Sequence, residues 1–259
     1  MHTGPIGVFD SGLGGTSTLR QLLKLLPKEN YYYFGDCANA PYGVRTEENI
    51  RELTLAAGIR IEQAGAKLLV VACNTATAAA LPTLERELSI PVLGIRPAIV
   101  PAAAAPGKGK VLMIATEATT KLPAYRALHA SLTDPDRVID VPGPADIVRS
   151  VEAGVRDQLH YMELLGAVFA PYYGMQIDGI VLGCTHYPFM EEAVKQYAAA
   201  HFTGECRIYE GGAETCRQVL QTLSENDLFN PDGTGRVEFH CSGDHETQEK
   251  RFRLLLNAE

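Results

Sequence analysis

The sequence predicts an α/β protein of two similar domains, each a mostly parallel sheet flanked by helices, with a cleft between them. Three observations carry that prediction. Short apolar runs alternate with helical patterns along the chain, which is how parallel strands with crossover helices read. Two runs, residues 69–72 and 180–183, end at Cys73 and Cys184 and continue into hydrogen-bonding residues. Apolar runs of that length suit strands buried on both faces. The two units share one layout (strand, small residue, Cys, polar residue, helix), a weak internal repeat.

Residues 6–9 form the first strand, followed by the turn Asp10-Ser11-Gly12-Leu13-Gly14-Gly15-Thr16 and a helix marked by Leu19, Leu22, Leu23 and Leu26. Residues 31–34 are the next strand, and Pro and Gly make 39–43 a loop. A helix over 47–64, a strand over 67–72, a helix over 77–88 and a strand over 91–95 complete the first set. The Pro- and Ala-rich stretch 97–106 is the crossing between halves. The second set has strands over 111–115, 138–141 and 177–182, with helices over 122–132, 146–154 and 157–169. A strand over 207–210, a helix over 214–223, a strand over 237–240 and a helix over 247–256 close the chain. The expected division is 1–96 with 208–259 as one domain and 97–207 as the other.

With 259 residues and 46% apolar content the chain can bury a sizeable core. Its net charge of −8, from 23 basic and 31 acidic residues, offers no basic face for direct nucleic-acid binding. Met1-His2-Thr3-Gly4-Pro5 lacks the pattern of a secretion signal, and no apolar run is long enough to span a bilayer. A cytoplasmic location is therefore expected. The six cysteines (37, 73, 184, 206, 216, 241) form no CxxC pair and no Cys/His cluster at zinc spacing. No metal and no disulfide is expected.

Ligands of open α/β sheets bind outside the carboxyl ends of the strands, where Cys73 and Cys184 both fall. Two thiols on opposite sides of one small molecule can take a proton from one face of a carbon and return one to the other, as a cofactor-independent racemase or epimerase requires. Free Cys is often merely a buried apolar residue, but two in matching contexts, followed by Asn74-Thr75 and by Thr185-His186, favour chemistry. His186, two residues past Cys184, suits a proton partner. The glycines after Asp10-Ser11 fit neither GxGxxG nor the P-loop, so Asp10 is read as a ligand for an ammonium group or an aid to a thiol. Taken alone, Glu152 reads as a solvated helical residue, Pro41-Tyr42-Gly43 as a turn, and Thr116 and Thr119 as helix caps.

Together these segments closely resemble the glutamate racemases of bacterial cell-wall synthesis. The matching stretches are residues 7–15, Pro41-Tyr42-Gly43, Ala72-Cys73-Asn74-Thr75-Ala76-Thr77, 115–119, Val151-Glu152-Ala153-Gly154 and Gly183-Cys184-Thr185-His186-Tyr187-Pro188. They fall in the family's order over roughly 6–190, and the match fades beyond about 205. The resemblance implies proton transfer without pyridoxal phosphate or any other cofactor. Cys73, assisted by Asp10, would act on D-glutamate, and Cys184, assisted by His186, on L-glutamate, with Glu152 close by. Asp10, Ser11, Pro41, Tyr42, Gly43, Asn74, Thr75, Thr116, Thr119 and Thr185 would join the cysteines and His186 in holding glutamate. It further implies a homodimer that supplies D-glutamate to peptidoglycan. A racemase of aspartate or another acidic amino acid is the alternative, as is a binding protein with a gyrase-inhibiting role exerted through protein contact. One departure stands out: many family members carry Glu-Pro where this chain has Arg96-Pro97, at the expected hinge.

Overall fold

In a computed structural model that describes residues 3–258, the chain forms two parallel sheets flanked by helices. The opening Met1-His2 of the N-terminal reading lies outside the described residues. The first half runs β1 (Ile6–Asp10), α1 (Thr16–Leu25), β2 (Tyr31–Gly35), α2 (Glu47–Gln63), β3 (Leu68–Val71), α3 (Asn74–Glu87) and β4 (Val92–Gly94). A short helix, α4 (Ile99–Ala104), makes the crossing to β5 (Lys110–Ala115). Then come α5 (Glu117–Lys121), α6 (Pro123–Ala130), β6 (Val138–Pro142), α7 (Ala145–Glu152), α8 (Gln158–Phe169), β7 (Ile177–Gly183), α9 (Glu191–His201) and β8 (Arg207–Glu210). The chain returns through α10 (Gly212–Glu225), β9 (Val237–Cys241) and α11 (His245–Leu256).

The five-stranded sheet has the order β4-β3-β1-β2-β9, the four-stranded sheet β6-β5-β7-β8. Every strand pair is parallel. β8 pairs with β7, so residues 207–210 belong to the second sheet, and β9 brings the chain back beside β2. In each sheet one strand order reverses: between β1 and β3 in the first, between β5 and β7 in the second. Such switch points leave a crevice at the strands' carboxyl ends. The residues ending those strands or following them are Asp10 and Cys73 in one half, Thr116 and Cys184 in the other.

β1, β2 and β3 are buried along their whole length, as their unbroken apolar sequences require of strands covered on both faces. One core is shared by the two halves: Ile6, Val8, Leu19 and Leu22 belong to the same cluster as Ile114, Leu182 and Tyr187. Fully burying each such aliphatic side chain is worth about 1.5–3 kcal/mol. Smaller cores fill the outer faces, around Phe9, Leu69 and Val71 beneath α2 and α3, and around Val111, Met113 and Tyr125 under α4 and α6. Below the first sheet, the buried pair Lys67 Nζ–Glu29 Oε2 (2.6 Å) is tied to the returning chain by the Asn230 N–H, which donates to Glu29 Oε1 at 2.8 Å.

At the crossing, the Arg96 side chain is exposed. Its backbone N–H donates to Thr215 Oγ1 at 2.9 Å, and a side chain at Gly211 would collide with its carbonyl oxygen. The charge at position 96 thus faces solvent while the main chain holds the crossing against α10.

Candidate active site

Cys73 stands at the N-cap of α3. Its Sγ accepts the Ala76 N–H at 3.4 Å, a capping contact, and donates to Ser11 Oγ at 3.6 Å. Burial, and then the charge of Asp10, push its pKa up to about 12, against the Ala76 and Ser11 contacts that favour the thiolate. Cys184 lies within the range at which its charge raises Cys73 further. The two sulfurs thus share one buried region.

Cys184 follows β7 directly and is surrounded differently. Its Sγ is 3.5 Å from His186 Nδ1, and His186 Nε2 is 2.6 Å from Glu152 Oε1. The same Glu152 oxygen accepts the Leu13 N–H at 2.7 Å. Thiol, imidazole and carboxylate form one chain that ends on the glycine loop of the opposite half. Burial works against a charged His186, but the Cys184 and Glu152 partners outweigh it and raise its pKa well above the ordinary histidine value.

That contact depends on bare backbone. A Cβ at Gly12 would collide with Glu152 Oε1, and one at Gly14 would come within 2.5 Å of His186 Nδ1 and 2.7 Å of Thr185 Oγ1. The glycines that read in the sequence as a tight turn are needed because the other half packs onto them. Tyr33 holds the loop from below, its hydroxyl donating to the Gly12 carbonyl at 2.9 Å.

Asp10 is fully buried. One carboxylate oxygen accepts the Gly12 N–H at 3.0 Å and the other the Thr185 hydroxyl at 3.1 Å. Its pKa is raised, chiefly by burial and also by Glu152, against the lowering effects of His186 and of the Gly12 and Gly15 N–H groups. It bears on Cys73 through its charge, while the hydroxyl on the Cys73 sulfur belongs to Ser11. Asp10, Glu152 and His186 bring potential ligand atoms within 4.8 Å of one another. Those atoms are engaged with Gly12, Thr185, Leu13, Cys184 and each other.

A cluster of threonine hydroxyls joins the halves at the other edge. Thr75 Oγ1 is 3.0 Å from Thr116 Oγ1 and 2.9 Å from Thr119 Oγ1, and the last two are 2.8 Å apart. All three residues are buried. Thr116 also caps α5, its Oγ1 accepting the Thr119 N–H at 3.3 Å. Gly43 packs on Thr116, where an added Cβ would lie 2.8 Å from the threonine Cβ. Pro41 precedes the short turn Tyr42–Val44. The Tyr42 hydroxyl donates to Asp36 Oδ2 at 2.6 Å, so Tyr42 anchors the loop that presents Gly43. Asn74 opens α3 and, with Thr77, Leu81, Met113, Thr119 and Tyr125, lines an apolar cavity of about 190 Å³ beside the cluster.

The structure therefore gathers Asp10, Ser11, Cys73, Glu152, Cys184, Thr185 and His186 into one buried network, with Thr75, Thr116 and Thr119 in a second cluster. Sequence reasoning overlooked three supporting residues: Asp36, Tyr33 and Ser17, whose hydroxyl donates to the Thr185 carbonyl at 3.0 Å. Asp36 did carry a signal, a carboxylate just past the end of a strand adjacent to β1.

The Asp/Glu/Hydantoin racemase family model matches residues 6–219. The chain is 38% identical to a glutamate racemase of Clostridium perfringens (strain SM101 / Type A), over 88% of this chain and 86% of that protein. It is also similar to the crystal structure of a glutamate racemase from Thermus thermophilus in complex with beta-chloro-D-alanine, with 35% identity and a TM-score of 0.80, covering 98% of this chain and 93% of that one. A crystal structure of the Escherichia coli glutamate racemase in complex with L-glutamate matches with 28% identity and a TM-score of 0.80, covering 96% and 92%.

Proposed function

Because the chain belongs to the Asp/Glu/Hydantoin racemase family, we propose that it interconverts L- and D-glutamate by two-base proton transfer between Cys73 and Cys184, without a cofactor. The observation that carries this reading is the pair of buried cysteines at the switch points of two facing sheets, each with its own hydrogen-bonding partners. The substrate rests on the names of the relatives and on L-glutamate in the E. coli structure. The division at 97 rests on the Pro- and Ala-rich crossing, while the expected one at 207 moves past β8, which pairs with β7. Homodimerisation, a cytoplasmic location and the supply of D-glutamate to peptidoglycan rest on the resemblance. Among the described residues no helix is long and apolar enough to cross a membrane.

In the L-to-D direction the Cys184 thiolate removes the α-proton and the Cys73 thiol delivers its proton to the opposite face. Cys184 ends as the thiol and Cys73 as the thiolate, so one proton is taken and one given. A raised pKa keeps Cys73 protonated before that step. A protonated His186 beside the Cys184 sulfur supplies the donor that a thiolate there needs. In the reverse direction the roles exchange, and the Ser11 hydroxyl and Ala76 N–H steady the Cys73 thiolate.

The α-proton is far less acidic than a thiol, so charge developing on the substrate carboxylate needs fixed donors. The hydroxyls of Thr75, Thr116 and Thr119 now hydrogen-bond one another, and a carboxylate would take over donors they share. Asn74, Thr185, Ser11 and the Tyr42-Gly43 segment complete the polar set. Incubation of the protein with D-glutamate in D2O, free of pyridoxal phosphate, tests the reading. Decay of optical rotation to zero with deuterium at the α-carbon is expected. An unchanged rotation, or faster turnover of D-aspartate, would overturn it.

A further inference from the structure

Behind the catalytic network lies a second cavity, of about 280 Å³, whose lining includes Arg20, Arg156, Gln158, Pro188, Phe189 and Leu255. Its charged residues among those described are the two arginines, one from α1 and one from the loop after α7. Neither Arg20 nor Arg156 forms an ion pair or hydrogen bond among the described residues. The Gln158 side-chain oxygen is buried and without a hydrogen-bond partner. The rest of the wall, Pro188, Phe189 and Leu255, is apolar.

A cavity with two guanidinium groups and no carboxylate among its described lining residues has the charge of an anion site. Guanidinium forks match the oxygens of phosphate or carboxylate, and these charge-assisted hydrogen bonds are among the strong ones. We propose that this cavity binds a small organic anion, its oxyanion head between Arg20 and Arg156 and its compact apolar body against Phe189 and Leu255. A buried acceptor such as the Gln158 oxygen calls for a donor, and the hydroxyl of a singly protonated phosphate ester supplies one. Burial, and next the like charge of Arg156, weaken the hold of Arg20 on its proton, and the charge of a bound anion opposes both effects. The volume is just under the roughly 300–1,000 Å³ of pockets for drug-sized ligands, which favours a small phosphate ester.

The placement also joins this site to the chemistry. Arg156 follows Glu152 by one turn of chain, Phe189 follows His186 closely, and α1 begins directly after the glycine loop. An anion held by both arginines links α1 of the first half to the second-half segments that carry Glu152 and His186. It bears on the Leu13–Glu152–His186 chain without touching substrate.

The test is calorimetric titration of the full-length protein with phenyl phosphate, in the presence of saturating D-glutamate and at matched ionic strength. Stoichiometric binding is expected, weakened about tenfold or more in Arg20→Gln and in Arg156→Gln, with Arg156→Lys in between because it keeps charge and loses the fork. Circular dichroism of each variant separates a lost site from a lost fold. Equally tight binding of phenylacetate would support the same site with a carboxylate as the head. Unchanged affinity in both folded glutamine variants, displacement by D-glutamate, or equal binding of neutral benzyl alcohol would each overturn the proposal.

Discussion

The two cysteines occupy equivalent places in the two sheets, yet their surroundings have little in common. Cys73 caps a helix and touches groups that do not titrate near neutrality, the Ser11 hydroxyl and the Ala76 N–H. Cys184 begins a relay through His186 and Glu152 that ends on the backbone of Leu13. One sulfur is served by fixed dipoles, the other by a chain of titratable groups. A reaction that runs equally in both directions does not need a symmetric site. On the proposed mechanism it needs two sulfurs with opposite roles, and their unlike neighbours suit them to those roles.

The harshest way to break the comparison is to remove either sulfur. Cys73→Ala and Cys184→Ala should each lower racemisation by at least about 10³-fold, near the upper end for a positioned acid or base. Polarimetry checks this, and a variant retaining a tenth of the rate would remove that cysteine from the mechanism.

The relay is sharpened by pH. The folded-state pKa of His186 is raised, so its stabilising contribution is full below the unfolded value of about 6.5 and is lost as pH rises through the folded value. Glu152→Gln withdraws one of the partners that raise it. The alkaline limb of kcat/KM should move to lower pH, with a loss at the optimum of about 10- to 100-fold. Because the equilibrium constant between enantiomers is one, kcat/KM must fall equally in both directions. Any asymmetry of the relay therefore appears in kcat together with a matching change in KM, larger with L-glutamate as substrate. Identical pH profiles for parent and variant would refute the relay.

The smallest effect is expected at the threonines, which belong to neither sulfur. Thr116→Ala removes a helix cap and two hydroxyl contacts. A stability loss of about 1–2 kcal/mol should accompany a raised KM with a lesser change in kcat, read by thermal unfolding and initial rates. A fall in kcat larger than at Glu152 would place the cluster nearer the chemistry than the relay.

The strands were legible because most are short apolar runs between turn residues, and all nine lie within two residues of their expected ends. Three helices were not, the first of them α4, which lies in the Pro- and Ala-rich stretch read as a plain crossing. α9 starts just past Pro188, where a proline suggests an ending, and its buried stripe of Ala193, Val194, Tyr197 and Ala198 is made mostly of small residues. α5 is a single turn and reads as part of a strand end. The switch-point cysteines were visible locally. The partners of Glu152 were not, because its contacts with Leu13 and His186 join segments far apart in the chain, and a glutamate in a helix looks solvated until the other half is in place. The Asp36 contacts are of the same kind, reaching Ser242 from across the returning strand at 2.5 Å.

The bare backbone at Gly12 has a consequence for genetics. A methyl group there would run into the Glu152 carboxylate, which the other half supplies. Revertants of a Gly12→Ala strain should therefore map to the distant codon 152 or its neighbours, where a shorter side chain reopens the gap. Those that restore the fold by truncating Glu152 would do so at the expense of the relay, so suppression of the folding defect and recovery of turnover should separate.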